Sequence, residues 1–326
     1  MKQDILIGCV ADDFTGASDA ASFLMSKGMK TILFNGKPDG EIPPCQAVVI
    51  ALKSRTQETK SAVADSMAAF TWLKEQGAQH LYFKYCSTFD STKEGNIGPV
   101  VDAMLETFGE KYTILCPALP VNKRTVENGI LYVDGVPLSE THMKNHPLTP
   151  MWESEIAKLM DPQGKYQTLN VNTELLTKSK EEILTVVDEF GKDKEHFYIV
   201  PDYVNDENGT KIAEVFGDLT VLTGGSGILA PLAAKYQQTQ AAKDSMTNGV
   251  DGKGIVLAGS CSKATLEQIA DFQTKGYASY KIDPMAVLSG TETVDTVWDF
   301  VKAHTDEEVL LYSSDQAGNE IGRAHV

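Results

Sequence analysis

The spacings that hold metals or form redox pairs are missing from this sequence. Its five cysteines, Cys9, Cys45, Cys86, Cys116 and Cys261, form no C-x-x-C pair. Their odd number, mostly within apolar runs, suits buried free thiols in a reducing compartment. His80, His142, His146 and His196 fall in neither H-x-H nor H-E-x-x-H spacing, so no metal centre is expected. Positive charge is scarce: 29 Lys and Arg stand against 45 Asp and Glu, a net charge of −16. That balance argues against a phosphate-backbone partner, since nucleic-acid binders rely on clustered Lys and Arg. No run of about 18 apolar residues is present to span a bilayer, and the N-terminus enters a strand pattern without a basic region leading into an apolar one. A Walker A loop is also absent, because Thr223-Gly-Gly-Ser-Gly227 lacks the following Lys. A cytoplasmic protein with small-molecule partners is expected, binding neither nucleic acid nor membrane.

What is present is an alternation of strand and helix patterns along 326 residues that are 42% hydrophobic. Apolar runs at 5–11, 31–34, 47–51, 81–85 and 112–116 read as strands, and 16–27, 57–76 and 97–108 read as helices. Such alternation means βαβ units around a mostly parallel sheet. Ile130 to Leu138 reads as a hairpin turned by Asp134-Gly135. Helices are then expected at 151–160 and 179–190, with strands near 166–171, 196–200 and 219–222. Residues 238–252 lack apolar periodicity and carry turn formers, so they read as a linker. Beyond it, the strand from Gly254 to Ala258, the helix Ala264 to Thr274, a strand at 277–282, a helix at 291–304 and a strand at 308–312 begin a second α/β domain. The expected organisation is therefore 1–237, linker 238–252, and an incomplete second domain at 253–319. Residues 320–326 are expected to be a non-native tail, since codons for them can spell a sequencing adapter.

In open parallel sheets ligands meet the carboxyl ends of strands, and the informative residues lie there. Asp12 and Asp13 follow the first strand. Either one could cap the next helix, but adjacent like charges are costly unless a cation, a metal or a substrate hydroxyl meets them. Arg55 follows the third strand and can clamp a carboxylate with two parallel hydrogen bonds. Lys84 ends the fourth and opens a loop rich in hydroxyls that carries Asp90 and Asn96. This loop suits a small polyhydroxy acid or a phosphate, or alternatively it is a capping loop. Asn122 and Arg124 leave the fifth strand, and His146 lies in a Pro-stiffened loop where a structural role competes with binding. Together these residues describe a pocket for a small, anionic, hydroxyl-bearing molecule. Gly259-Ser260-Cys261-Ser262 could hold a phosphate through backbone N–H groups, or could simply be a tight turn.

Ala11-Asp-Asp-Phe-Thr-Gly16, Phe83 to Thr92 with Gly95-Asn-Ile-Gly98, Cys116 to Asn122, His146 to Pro150, Thr223 to Gly227 and Gly259-Ser-Cys-Ser262 closely resemble the four-carbon acid sugar kinase family from about residue 5 to about residue 285. The resemblance implies an N-terminal substrate domain, a C-terminal nucleotide domain, ATP as donor, and transfer to the terminal hydroxyl of a four-carbon acid sugar. It further implies that Ser260, with Ser262, contacts ATP. The loops around Asp12, Arg55, Lys84 and Asp90 would hold the acid, together with Asn96, Asn122, Arg124, His146, Gly225 and Ser226. The family's late Gly-Gly-Glu-Thr segment does not occur in this sequence. In phosphoryl transfer a carboxylate accepts the hydroxyl proton and cations offset moving charge. That assigns the base to Asp12 or Asp13 and the substrate carboxylate to Arg55 or Lys84, with Mg2+ arriving on ATP. Two other readings stay open: a sugar-acid aldolase or isomerase using Lys84 as a Schiff base or an Asp as proton shuttle, and a sugar-acid binding module without turnover. Homo-oligomerisation is also open.

Overall fold

The computed structural model describes residues 5–145, 149–237, 254–261 and 263–315. His146, Ser262, the expected linker at 238–252 and the expected tail at 320–326 lie outside them. The chain divides into two compact units, Met1–Ser245 and Met246–Val326.

The first unit runs β1 (Ile7–Ala11), α1 (Phe14–Met25), β2 (Thr31–Asn35), β3 (Ala47–Ala51), α2 (Thr59–Gln76), β4 (His80–Lys84), α3 (Ile97–Phe108) and β5 (Tyr112–Cys116). A meander follows, of β6 (Arg124–Glu127), β7 (Ile130–Val133) and β8 (Val136–Pro137). Then come α4 (Ile156–Met160), β9 (Thr168–Val171), α5 (Thr173–Leu176), α6 (Lys180–Phe190), β10 (Phe197–Pro201), α7 (Asp206–Phe216), β11 (Val221–Gly224) and α8 (Leu229–Gln237). Eight strands form one sheet in the order β2-β3-β1-β4-β11-β5-β10-β9, and every pairing in it is parallel. β1, β3 and β10 are buried along their whole length. This is why they read as unbroken apolar runs: helices cover both faces of a parallel sheet. β1 lies between β3 and β4, so the chain reverses its progress across the sheet at β1. Such a switch point opens a crevice at the carboxyl ends of the strands.

The second unit runs β12 (Ile255–Ala258), α9 (Lys263–Thr274), β13 (Ala278–Lys281), α10 (Pro284–Ser289), α11 (Val294–Ala303) and β14 (Val309–Tyr312). Its three strands pair in parallel in the order β12-β14-β13. The expected fold class holds in both units: mostly parallel sheets flanked by helices.

Three expectations need correction. Only Ile156–Met160 of the expected helix at 151–160 is helical. The residues before it run along the meander, where Ser154 O accepts from Leu131 N–H and Glu155 bridges Ile130, and hydrogen bonds spent sideways cannot close helical turns. The expected helix at 291–304 begins at Val294, because Thr293 caps it, and α10 ends just upstream at Gly290 with φ 74°. No helix was expected between 200 and 219, yet α7 occupies Asp206–Phe216. Its cap is Asn205, and the buried residues Ile212, Ala213, Val215 and Phe216 crowd its second half, so the first turn reads as a polar loop. The hairpin has the expected turn, with both Asp134 and Gly135 at positive φ, but β6 extends it to three strands and takes in Arg124.

Candidate active site

Asp12 leaves β1 buried, and its backbone carbonyl accepts from the N–H groups of Ser54 and Arg55 at 3.0 and 3.2 Å. That pairing brings the loop after β3 over the end of β1. The Arg55 side chain then grips Asp12 with two parallel hydrogen bonds, Nε to Oδ2 at 2.9 Å and Nη2 to Oδ1 at 2.8 Å. The same Nη2 lies 3.0 Å from Asp13 Oδ1, and Nη1 lies 3.9 Å from Asp90 Oδ2. One guanidinium therefore gathers three carboxylates. Burial raises the Asp12 carboxyl above its ordinary value while Arg55 pulls it down. Burial alone would lower Arg55, but Asp12 and Asp13 hold it above its usual range, so it stays charged.

Asp13 also caps α1, its Oδ1 accepting from Gly16 N–H at 2.8 Å. The sequence reading set capping against a site role, and the geometry gives this carboxylate both contacts. Lys84 is buried, and its Nζ donates to Tyr85 O at 2.8 Å. A Cβ on Gly16 would fall 2.3 Å from Asp13 Oδ1 and 3.0 Å from Lys84 Nζ. Only glycine leaves both groups where they are.

The loop after β4 is built from within. Thr88 donates to Asp90 Oδ1 at 2.6 Å, and Cys86 Sγ lies 3.0 Å from the Thr88 hydroxyl. Burial, with Asp90 nearby, pushes the Cys86 thiol up to about 11, so it is no nucleophile at neutral pH. Phe89 between them adopts φ 51°, uncommon for a bulky residue, and its fully buried ring packs edge-on to Tyr85 at 5.4 Å. Asn96 is buried and turns its amide Nδ2 to the carbonyls of Ser54, Arg55 and Gln57. This residue was expected to meet substrate; in the structure its amide nitrogen holds the Arg55 loop.

Other expected site residues lie elsewhere or are otherwise engaged. In Thr223 to Gly227, added Cβ atoms at Gly225 and Gly227 would fall 2.4 and 2.3 Å from the carbonyl oxygens of Pro117 and Ala118. These glycines admit the neighbouring backbone. Gly225 O accepts from Tyr82, and Ser226 donates to Asp19 on α1. Asn122 and Arg124 bond to each other beside the meander and line a separate cleft of about 470 Å³ with Asp134, Glu140 and His142. Asp202, just after β10, is fully buried. It accepts from the N–H groups of Asn128, Gly129 and Thr173 and from the Asn170 side chain, tying the meander to β9 and α5. Among the described residues no group of three or more His, Cys, Asp or Glu is placed to hold a metal ion, and no helix is long and apolar enough to cross a membrane. In the second unit, Gly259 and Ser260 follow β12 and line a cavity of about 360 Å³ with Thr265, Gln268 and Phe272. Sequence reasoning missed Thr88 and Gly16, whose partners are near in sequence but fixed by loop geometry, and Asp19, whose partner Ser226 is distant in the chain.

These features define a protein with a charged side-chain cluster at the strand ends of one α/β unit and a strand–turn–helix cleft in another. Family models match both: a sugar-binding N-terminal domain over residues 7–232 and a nucleotide-binding C-terminal domain over residues 255–324. A 3-oxo-tetronate kinase from Brucella melitensis is 38% identical over 318 residues, covering 95% of this chain and 72% of the relative. A solved Haemophilus influenzae protein is similar with 39% identity and a TM-score of 0.78, over 95% of this chain and 75% of that one. A Bordetella bronchiseptica protein, solved with bound citrate as a domain-swapped dimer, is 27% identical with a TM-score of 0.60, over 97% of this chain and 75% of that one. The chain belongs to the four-carbon acid sugar kinase family.

Proposed function

We propose that this protein transfers the terminal phosphoryl group of ATP to the C4 hydroxyl of a four-carbon acid sugar such as 3-oxo-tetronate. The observation that carries this reading is the meeting of Asp12, Asp13, Arg55 and Asp90 at the ends of three adjacent strands, inside the stretch that the sugar-binding model matches. Phosphoryl transfer needs positioning and charge compensation more than covalent help. Both oxygens of Asp12 are held by Arg55, which suits it to fixing the cluster. Asp13 is the most open of the three carboxylates, its side chain 31% exposed against 5% for Asp12 and 9% for Asp90. Asp13 is therefore the better acceptor for the hydroxyl proton. Arg55 and Lys84 supply positive charge for the substrate's own carboxylate.

The donor's place is read at Gly259 and Ser260, where a strand end, a glycine and a following helix leave a cleft with room for a phosphate and exposed backbone near it. Mg2+ is read as entering on the ATP phosphates, where a hard cation that keeps its waters neutralises charge. Five free cysteines support a reducing, cytoplasmic setting. The domain-swapped dimer of the Bordetella relative supports a homo-oligomer here. The test is an ADP-release assay over threonate, erythronate and 3-oxo-tetronate. Turnover with one of these acids, lost on Asp13→Asn, is the expected result. ATP-independent consumption of the acid, or equal rates in the wild type and in Asp12→Asn and Asp13→Asn, would overturn the reading.

A further inference from the structure

We infer that Asn96 is the positioning residue for Arg55: it sets where the guanidinium meets substrate without touching substrate itself. This rests on the sugar-acid reading of the site proposed above. Asn96 stands just before α3, where an asparagine ordinarily turns its side-chain oxygen to the first N–H groups of the helix. Here it makes no such cap. Its amide Nδ2 instead donates to Ser54 O at 2.7 Å and Gln57 O at 2.9 Å, with Arg55 O at 3.3 Å. The capping work passes to Gln163, whose Oε1 accepts from Gly98 N–H at 3.0 Å.

The amide's orientation follows from its partners. Three carbonyl oxygens face it, and a carbonyl can only accept, so the nitrogen must point at them. The cost falls on the other side of the group, because Asn96 Oδ1 is buried with no hydrogen-bond partner. A buried acceptor left unpaired costs free energy, and such exceptions call for a reason. Both the missing cap and the unpaired oxygen follow if the side chain is committed to the loop at 54–57. That loop is held from the opposite side by Asp12 O, which accepts from Ser54 N–H and Arg55 N–H. Fixed on both flanks, the backbone of Arg55 carries a guanidinium that meets Asp12, Asp13 and Asp90. Where reacting groups must be aligned, a displacement of about 1 Å can cost on the order of 100-fold.

The test is a double-mutant cycle on the full chain, read first as calorimetric affinity for threonate, erythronate and 3-oxo-tetronate, and then as kcat and KM for whichever acid turns over. Asn96→Ala is expected to weaken binding roughly 10- to 100-fold, with Asn96→Ser in between because its hydroxyl can still reach one carbonyl. In an Arg55→Lys background, Asn96→Ala is expected to add less than about threefold, since residues acting through one another are not additive. Thermal melts accompany each variant, and Asn96→Ser carries the cycle if Asn96→Ala does not fold. Full affinity in a folded Asn96 variant, or losses that multiply in the double variant, would overturn the inference while leaving the function intact. If Arg55→Lys binds and turns over like the wild type, the role of Arg55 in the proposed site fails, and the inference fails with it.

Discussion

The two units begin alike and are finished differently. In each, a short apolar strand runs into a turn of small or polar residues and then a helix, but β1 is buried along its length while Leu257 in β12 is 75% exposed. The core of the first unit is one cluster spanning its sheet and helices, whereas the second unit's holds Val301, Val309 and Leu311. The comparison teaches what enclosure gives the first unit: a strand buried on both faces holds still the backbone from which its strand-end side chains project. Asp12, Arg55 and Lys84 leave strands buried on both faces, and their hydrogen bonds are numerous and mutual. The sharpest way to break this contrast is to cut the same side chain in both sheets. Leu115→Ala in β5, at a fully buried position, is expected to cost about 2–5 kcal/mol. Leu257→Ala in β12 is expected to stay within about 0.5 kcal/mol. Similar losses in calorimetric unfolding would mean that exposure does not separate the units.

A second cut goes through the site. Asp12→Ala removes the buried partner of a two-pronged ion pair, and about 3 kcal/mol is expected, the low end for such pairs because Asp13 still faces Arg55. Affinity for four-carbon acids should fall with it. Urea unfolding and acid binding measured on the same protein check both halves, and a variant as stable as wild type would show that the pair is not what fixes this strand end. Third in size is Gly225→Ala. The new methyl would press on Pro117 O, 2.4 Å from its ideal place, and backbone cannot step aside cheaply, so a loss of about 1–3 kcal/mol is expected. An unchanged melting temperature would return Gly225 to the role of a permissive loop residue.

How much of this was legible beforehand depends on where each partner lies. The strand ends were readable because the residue that follows an apolar run in sequence also follows the strand in space, so Asp12, Arg55, Lys84 and Asp90 could be grouped without a structure. Asn96 was found as a residue but not in its role, since its partners are carbonyls of a loop up to 42 positions away and backbone atoms carry no sequence signature. Asp202 was opaque for the same reason, because three of its four donors are backbone N–H groups. Gly225 and Ser226 were read as ligand contacts, and the close approach of residues 116–118 explains the small residues there as well. That Arg124 begins a strand was not readable, because a hairpin signal marks two strands and says nothing of a third.

The smallest expected effect tests whether enclosure reaches the far end of β4. His80 stacks on Tyr236, with ring centroids 4.5 Å apart and planes 8° from parallel. Its Nδ1 lies 2.7 Å from Leu219 O, and a carbonyl can only accept, so the proton is on Nδ1. Burial lowers this imidazole below its ordinary 6.5, while the Leu219 carbonyl and Asp218 act in the opposite direction. A folded state that resists protonation binds fewer protons than the unfolded chain once pH falls to about 6.5, and stability then declines as pH falls. The contribution is whole above that pH, and it is lost going down at a slope of at most about 1.4 kcal/mol per pH unit until the folded imidazole also takes up its proton. His80→Gln is therefore expected to flatten the fall in urea midpoint between about pH 7 and pH 5, while the wild type keeps it. Parallel curves would mean that the stacked ring titrates as it does in the unfolded chain. The start of β4 would then be open to water, and the rigidity that enclosure gives to Lys84 at its other end would need another source.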